Sequence, residues 1–150
     1  MLICYTTLID EDTTGDLEEF NSVIQEITRD PEYALDMVFE KVTLEEYNAL
    51  KVSAFKERTF LLRFSTEETI ARTCHFQGLS CADSETQTIY INETNWNKGD
   101  KTYREYVIAH EIAHLLGYGH TVCSGVGNRG SVTQEFTRVG WGGCLPTRYI

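Results

Sequence analysis

The chain predicts a single α+β domain over residues 1–150, with a mixed twisted sheet, one long helix and a glycine-rich C-terminal tail. Three observations carry this. Short β-prone runs are interleaved with segments of helical period. A pattern starting near Lys101 is apolar on much of its circumference and runs into a cluster of histidines. Beyond it, Thr121 to Ile150 holds six glycines and little regular periodicity. A length of 150 residues suits one domain with a real core. The 41% hydrophobic and 24% charged content is that of an ordinary globular protein.

Taken in order, Leu2 to Ile9 is apolar and rich in β-formers and reads as a first strand. Asp10-Glu11-Asp12-Thr13-Thr14-Gly15 reads as a solvated acidic loop, since its residues do not follow EF-hand spacing. From Asp16 to Arg29, Leu17, Phe20, Val23, Ile24 and Ile27 recur every three or four residues, an amphipathic helix capped by Asp16 and ended by Asp30-Pro31. Met37 to Val42 and Arg58 to Phe64 are further strands, the second nearly continuous in apolar residues and therefore central. Thr43 to Leu50 is a short helix. Ser65-Thr66-Glu67-Glu68 is a capping-box sequence that opens a helix over about Thr66 to Arg72. Gln87 to Asn92 alternates as a strand. Asn95 to Asp100 is a polar turn around Trp96, after which Asp100 caps the long helix.

That helix ends in His110-Glu111-Ile112-Ala113-His114-Leu115-Leu116-Gly117-Tyr118-Gly119-His120. Residues four apart share a helix face, so His110 and His114 aim their imidazoles at one point, a good pair of zinc ligands. Glu111 is placed to reach a metal-bound water rather than the metal. Gly117 can stop the helix in the left-handed conformation, and the chain can then turn back to deliver His120 as third ligand. Three protein ligands with an open fourth position is the usual catalytic zinc arrangement. The added glycine and third histidine each cut chance matches by roughly a factor of ten. Three of the four histidines lie in this one motif. The expected cofactor is one catalytic Zn2+.

The net charge of −10 argues against nucleic acid and anionic membrane surfaces and leaves a peptide or protein substrate open. No apolar run nears 18 residues, so no membrane span is expected, and the protein is expected to be a monomer. Met1 to Thr6 has no basic region and no cleavable signal pattern. Either the protein stays where it is made, or the sequence is that of a trimmed mature form. Five cysteines point outward. Cys74 and Cys81 bracket a short loop, Cys123 and Cys144 bracket the tail, and each pair could staple a segment with little core of its own. Cys4 is left over as a buried free thiol. A cytosolic protein could keep all five reduced, and the sequence alone leaves the connectivity open.

The eleven-residue pattern resembles the metzincin clan of zinc endopeptidases, which implies a small zincin fold around an active-site helix. By that resemblance His110, His114 and His120 hold the metal and Glu111 is the general base. One departure is plain: the chain's methionines are Met1 and Met37, so none follows the motif. Ser131-Val132-Thr133-Gln134 looks like the segment equivalent to the clan's Met-turn, with Thr133 at the methionine position. A closer resemblance rests on the order of a Cys…Cys loop, Tyr90-Ile91-Asn92, Trp96, Tyr103-Arg104-Glu105-Tyr106-Val107-Ile108, the motif, Cys123 and Gly143-Cys144-Leu145-Pro146. It is similar to a family of extracytoplasmic actinobacterial metzincin-like domains, over roughly the second half well and the first half loosely. That likeness implies the pairings Cys74–Cys81 and Cys123–Cys144 and a secreted or extracytoplasmic setting. It also makes the Gln87 to Asn92 strand a candidate edge for an extended peptide, against an equal prospect that this strand is interior.

The expected reaction is hydrolysis of a peptide bond by a zinc-bound water, with Glu111 taking its proton and passing it to the leaving amine. Tyr118, Arg148 and Tyr149 are possible oxyanion partners, and Glu105 or Glu135 could orient a ligand histidine. Two other readings stand beside it: a zinc amidase acting on a non-peptide or cell-wall substrate, and a non-catalytic binding module with a structural zinc. Glu111 argues against the second, because a structural site needs ligands but no base.

Overall fold

The computed structural model describes residues 1–34, 37–74 and 80–117. Strand β1 (Leu2–Ile9) leads to α1 (Leu17–Thr28), where the Asp16 side chain accepts from the backbone N–H groups of Glu18 and Glu19. The helix buries Phe20, Val23, Ile24 and Ile27, as its period predicts. It stops before Pro31, whose ring favours a first helical position, and a short second helix, α2 (Pro31–Ala34), starts there. β2 (Val38–Lys41) and α3 (Leu44–Leu50) follow, the latter opened by a complete capping box between Thr43 and Glu46. β3 (Thr59–Ser65) and α4 (Glu67–Cys74) come next.

The five-stranded sheet has the order β2-β1-β3-β5-β4, with β4 spanning Cys81–Asp83 and β5 Thr88–Asn92. It is mixed, as expected: β1, β2, β3 and β5 pair in parallel, and β4 is antiparallel to β5. β3 lies at the centre, as its continuous apolar run requires. Alternation splits the side chains between two faces. Ile3, Tyr5, Phe60, Leu62, Phe64, Ile89 and Ile91 form the main core with α1 and with the last helix, α6 (Lys101–Leu115). Tyr90 and Cys81 pack on the other face against Ile70 of α4. There Arg63 lies 5.2 Å over the Tyr90 ring and forms a two-pronged ion pair with Asp10, which also accepts from the Ser65 hydroxyl at 2.7 Å.

Of the two prospects for the Gln87 to Asn92 strand the interior one holds, because the short β4 covers its outer side. Three expectations need correction. The segment around Trp96 is a helix, α5 (Glu93–Lys98), capped by Asn92, whose side chain accepts from Asn95 N–H at 3.0 Å. Trp96 is buried edge-on against Phe20 and Phe64, and this burial overrides the weak helix propensity of Thr94, Asn95 and Asn97. At α4 the cap is Thr66, which accepts from Thr69 N–H, while Ser65 is engaged by Asp10. Cys4 is a free thiol but only partly buried, with burial and the nearby Glu40 and Glu46 raising its pKa. Cys74 and Cys81 form the expected disulfide, joining the end of α4 to the start of β4. Cys123 and Cys144 lie outside the described residues.

Candidate metal centre

The site is built on α6, and the helix is held at both ends. At its start the Asp100 carboxylate accepts from Tyr103 N–H at 2.9 Å. Arg104 ties it to α5 and α1: its Nε donates to the Trp96 carbonyl at 3.0 Å, its guanidinium stacks 5.2 Å from the indole, and it pairs with Glu19. From Tyr106 to Ala113 every residue is buried, which explains why a helix so weakly amphipathic in sequence is stable: it is enclosed by α1 and the sheet. At its end Gly117 takes φ +100°, the left-handed conformation that favours glycine, and its N–H closes on the His114 carbonyl at 3.0 Å.

On this frame His110 and His114 converge as their spacing predicts. Their Nε2 atoms are 2.9 Å apart and their rings meet edge to face with centroids 4.4 Å apart. His110 is 7% exposed and His114 half-buried. Tyr106, one turn earlier, sets its ring 5.1 Å from that of His110. Glu111 is 5% exposed, its Oε2 has no hydrogen-bond partner among the described residues, and burial pushes its pKa up to about 8. An ionised carboxylate in such a place is costly unless a cation stands beside it.

The donor chemistry can be tested against a metal. Two neutral imidazoles suit zinc, copper, iron or nickel rather than magnesium or calcium. Zn–N bonds of about 2.0–2.1 Å at a tetrahedral angle put two ligand nitrogens about 3.3 Å apart, so the observed pair needs to open by only a few tenths of an ångström. His110 and His114 therefore fit as half of a zinc site, and the orphaned Glu111 oxygen fits a cation close by. Among the described residues no group of three or more potential ligands is assembled. His120, the expected third ligand, lies outside the described residues, as do Tyr118, Thr133, Glu135, Arg148 and Tyr149. Glu105 is on the first turns of α6, where it meets Lys101 at 3.8 Å.

Sequence reasoning overlooked Tyr33. Its ring is 1% exposed and its hydroxyl donates to the Ala109 carbonyl at 2.8 Å, next to His110 in the chain. Nothing local marks it, because the contact spans 76 positions. Tyr106 was legible in principle, four residues before His110 on the same helix face.

No curated protein and no solved structure matches the chain. A family model described as a protein of unknown function (DUF3152) matches residues 6–139, from within β1 through α6 and beyond. That span holds nearly the whole sheet and the entire histidine motif, and the chain belongs to the DUF3152 family.

Proposed function

We propose that this chain is a zinc-dependent metalloendopeptidase whose metal is held by His110, His114 and His120 and whose general base is Glu111. The observation that carries the reading is the convergence of a buried and a half-buried imidazole, 2.9 Å apart, with the next residue after the first a buried carboxylate whose Oε2 has no hydrogen-bond partner among the described residues. Zinc held there would supply Lewis acidity, bringing water within reach of deprotonation near pH ~7 and polarising the scissile carbonyl. Glu111 takes up the proton on its carboxylate and returns it to the leaving amine nitrogen. Burial raises the proton affinity of this carboxylate, and a cation bound beside it would lower it again, so that the ionised form needed to accept the proton would be favoured with the metal in place. His110 and Glu111 are buried on α6, so charges on that side of the site act through a low dielectric.

The substrate reading follows from the sheet. Among the described residues no strand pairs with the outer edge of β4, which packs beside α6. An extended peptide can add to such an edge by main-chain hydrogen bonds, so β4 takes the role expected of the Gln87 to Asn92 strand. The Cys74–Cys81 disulfide supports an extracytoplasmic setting. No described helix is long and apolar enough to cross a membrane.

The test is cleavage profiling of a diverse peptide library with the wild type and Glu111→Ala at equal zinc content. Cuts made only by the wild type are expected, and the flanking residues then define specificity. If both proteins hold one zinc and neither cuts a peptide, the endopeptidase reading fails and a non-peptide amide or a binding role takes its place.

A further inference from the structure

We infer that Tyr33 is a positioning residue for the metal centre, acting through the backbone of α6. The inference rests on the proposed metal role of His110 and His114. Tyr33 stands on the four-residue α2, in the connection between α1 and β2, far from the motif in sequence. Its ring is packed against Phe39 of the edge strand β2, with centroids 6.4 Å apart, and is almost fully buried. From there the hydroxyl donates to the carbonyl of Ala109 at 2.8 Å.

The choice of acceptor is what gives the contact its meaning. A carbonyl inside an α-helix already accepts from the N–H four residues on, here that of Ala113. The hydroxyl therefore uses the second lone pair of a carbonyl whose flanking peptides run directly into His110 and the turn that carries His114. A helix held only by apolar packing can rotate or slide by small amounts, because dispersion contacts are individually weak and undirected. A hydrogen bond from a buried, stacked phenol sets both the rotation and the axial position of the turn 109–113. A metal site needs its ligands held within about half an ångström of the productive geometry, so this is where such a pin acts most strongly. α1, Asp100 and Arg104 hold α6 elsewhere. Of the side-chain contacts described above, this one grips the helix backbone within the turn that bears the ligands.

The experiment compares the full chain as wild type, Tyr33→Phe, His110→Ala and Ile70→Val. Tyr33→Phe removes only the hydroxyl, leaving the ring and the helix bond in place. Ile70→Val is a stability control from the separate cluster on the other face of the sheet. Each protein is titrated with Co(II), following the visible ligand-field spectrum, and with Zn(II) against a chromophoric chelator, well below its unfolding temperature. Tyr33→Phe is expected to bind both metals about 3- to 10-fold more weakly, less than the ~10–100-fold typical of groups bonded directly to a ligand, with an altered Co(II) spectrum. Ile70→Val is expected to match the wild type in both. If Tyr33→Phe binds with wild-type affinity and spectrum, Tyr33 is only a core hydrogen bond and the inference is wrong. Equal weakening in Tyr33→Phe and Ile70→Val overturns it too, since general loosening then explains the loss. A wild type that binds cobalt no better than His110→Ala sinks the metal reading itself and this inference with it, a result distinct from the other two.

Discussion

At Glu111, burial works against ionisation. Its carboxyl has a pKa of about 8 in the metal-free fold against an ordinary value of 4.5, with desolvation as the cause. A folded-state pKa above the unfolded one means that the folded chain holds the extra proton between pH 4.5 and 8. Stability is therefore greatest below about pH 4.5 as far as this group is concerned, falls as pH rises through 8 and then levels off. The size of the effect is on the order of a few kcal/mol. Chelator-treated wild type should lose melting temperature between pH 5 and pH 8 more steeply than chelator-treated Glu111→Gln, whose neutral amide does not titrate. The comparison is one of slopes, because a buried amide carries its own constant cost. Parallel melting curves across that range would show that Glu111 is not desolvated as described. Adding zinc should flatten the wild-type slope, since a neighbouring cation favours the ionised carboxylate.

For the elements, legibility followed the strength of local signals. α1 was readable because it joins an acidic cap, Asp16, to a strongly periodic run, and α6 because Asp100 opens a segment apolar on much of its circumference that leads into the histidine motif. α5 and β4 were not. β4 has three residues, too few to show alternation, and its place is set by β5 and by the disulfide at Cys81. α5 owes its helix to the burial of Trp96 against residues 32 and 76 positions away, a tertiary effect that no local pattern encodes. Thr66 rather than Ser65 is the cap because Ser65 is the last residue of β3, held there by its pairing with Asn92 across the sheet. A readable cap can be tested on its own terms. Asp100→Ala leaves Tyr103 N–H without its partner and should cost about 1 kcal/mol in denaturant unfolding. Asp100→Asn keeps an acceptor oxygen and should recover most of that loss. If Asn behaves like Ala, the contribution is that of charge at the helix N-terminus rather than of the cap.

For the whole molecule, the sheet divides the described fold into a large core shared by α1, α5 and α6 and a small one under α4. The histidine pair is carried by α6, which packs into the large core, while the disulfide closes the small one. The motif was legible because its histidine pair is local in sequence; its surroundings were not, since β4 and Tyr33 come to α6 only through the fold. This division predicts separable behaviour. Cys74 and Cys81 are seven apart, so their bond closes a short loop, for which chain-entropy arguments give roughly 2 kcal/mol. The double variant Cys74→Ala/Cys81→Ala should lower the melting temperature by about 4–8 °C for a chain of this size. Amide exchange should rise first in β4, whose pairing is only three residues long, while α6 keeps its protection. Zinc affinity should stay within about twofold of wild type, because α6 is held by the other core. If α6 loses protection together with β4, the two cores unfold as one unit. The disulfide then supports the metal centre directly rather than the candidate peptide edge alone.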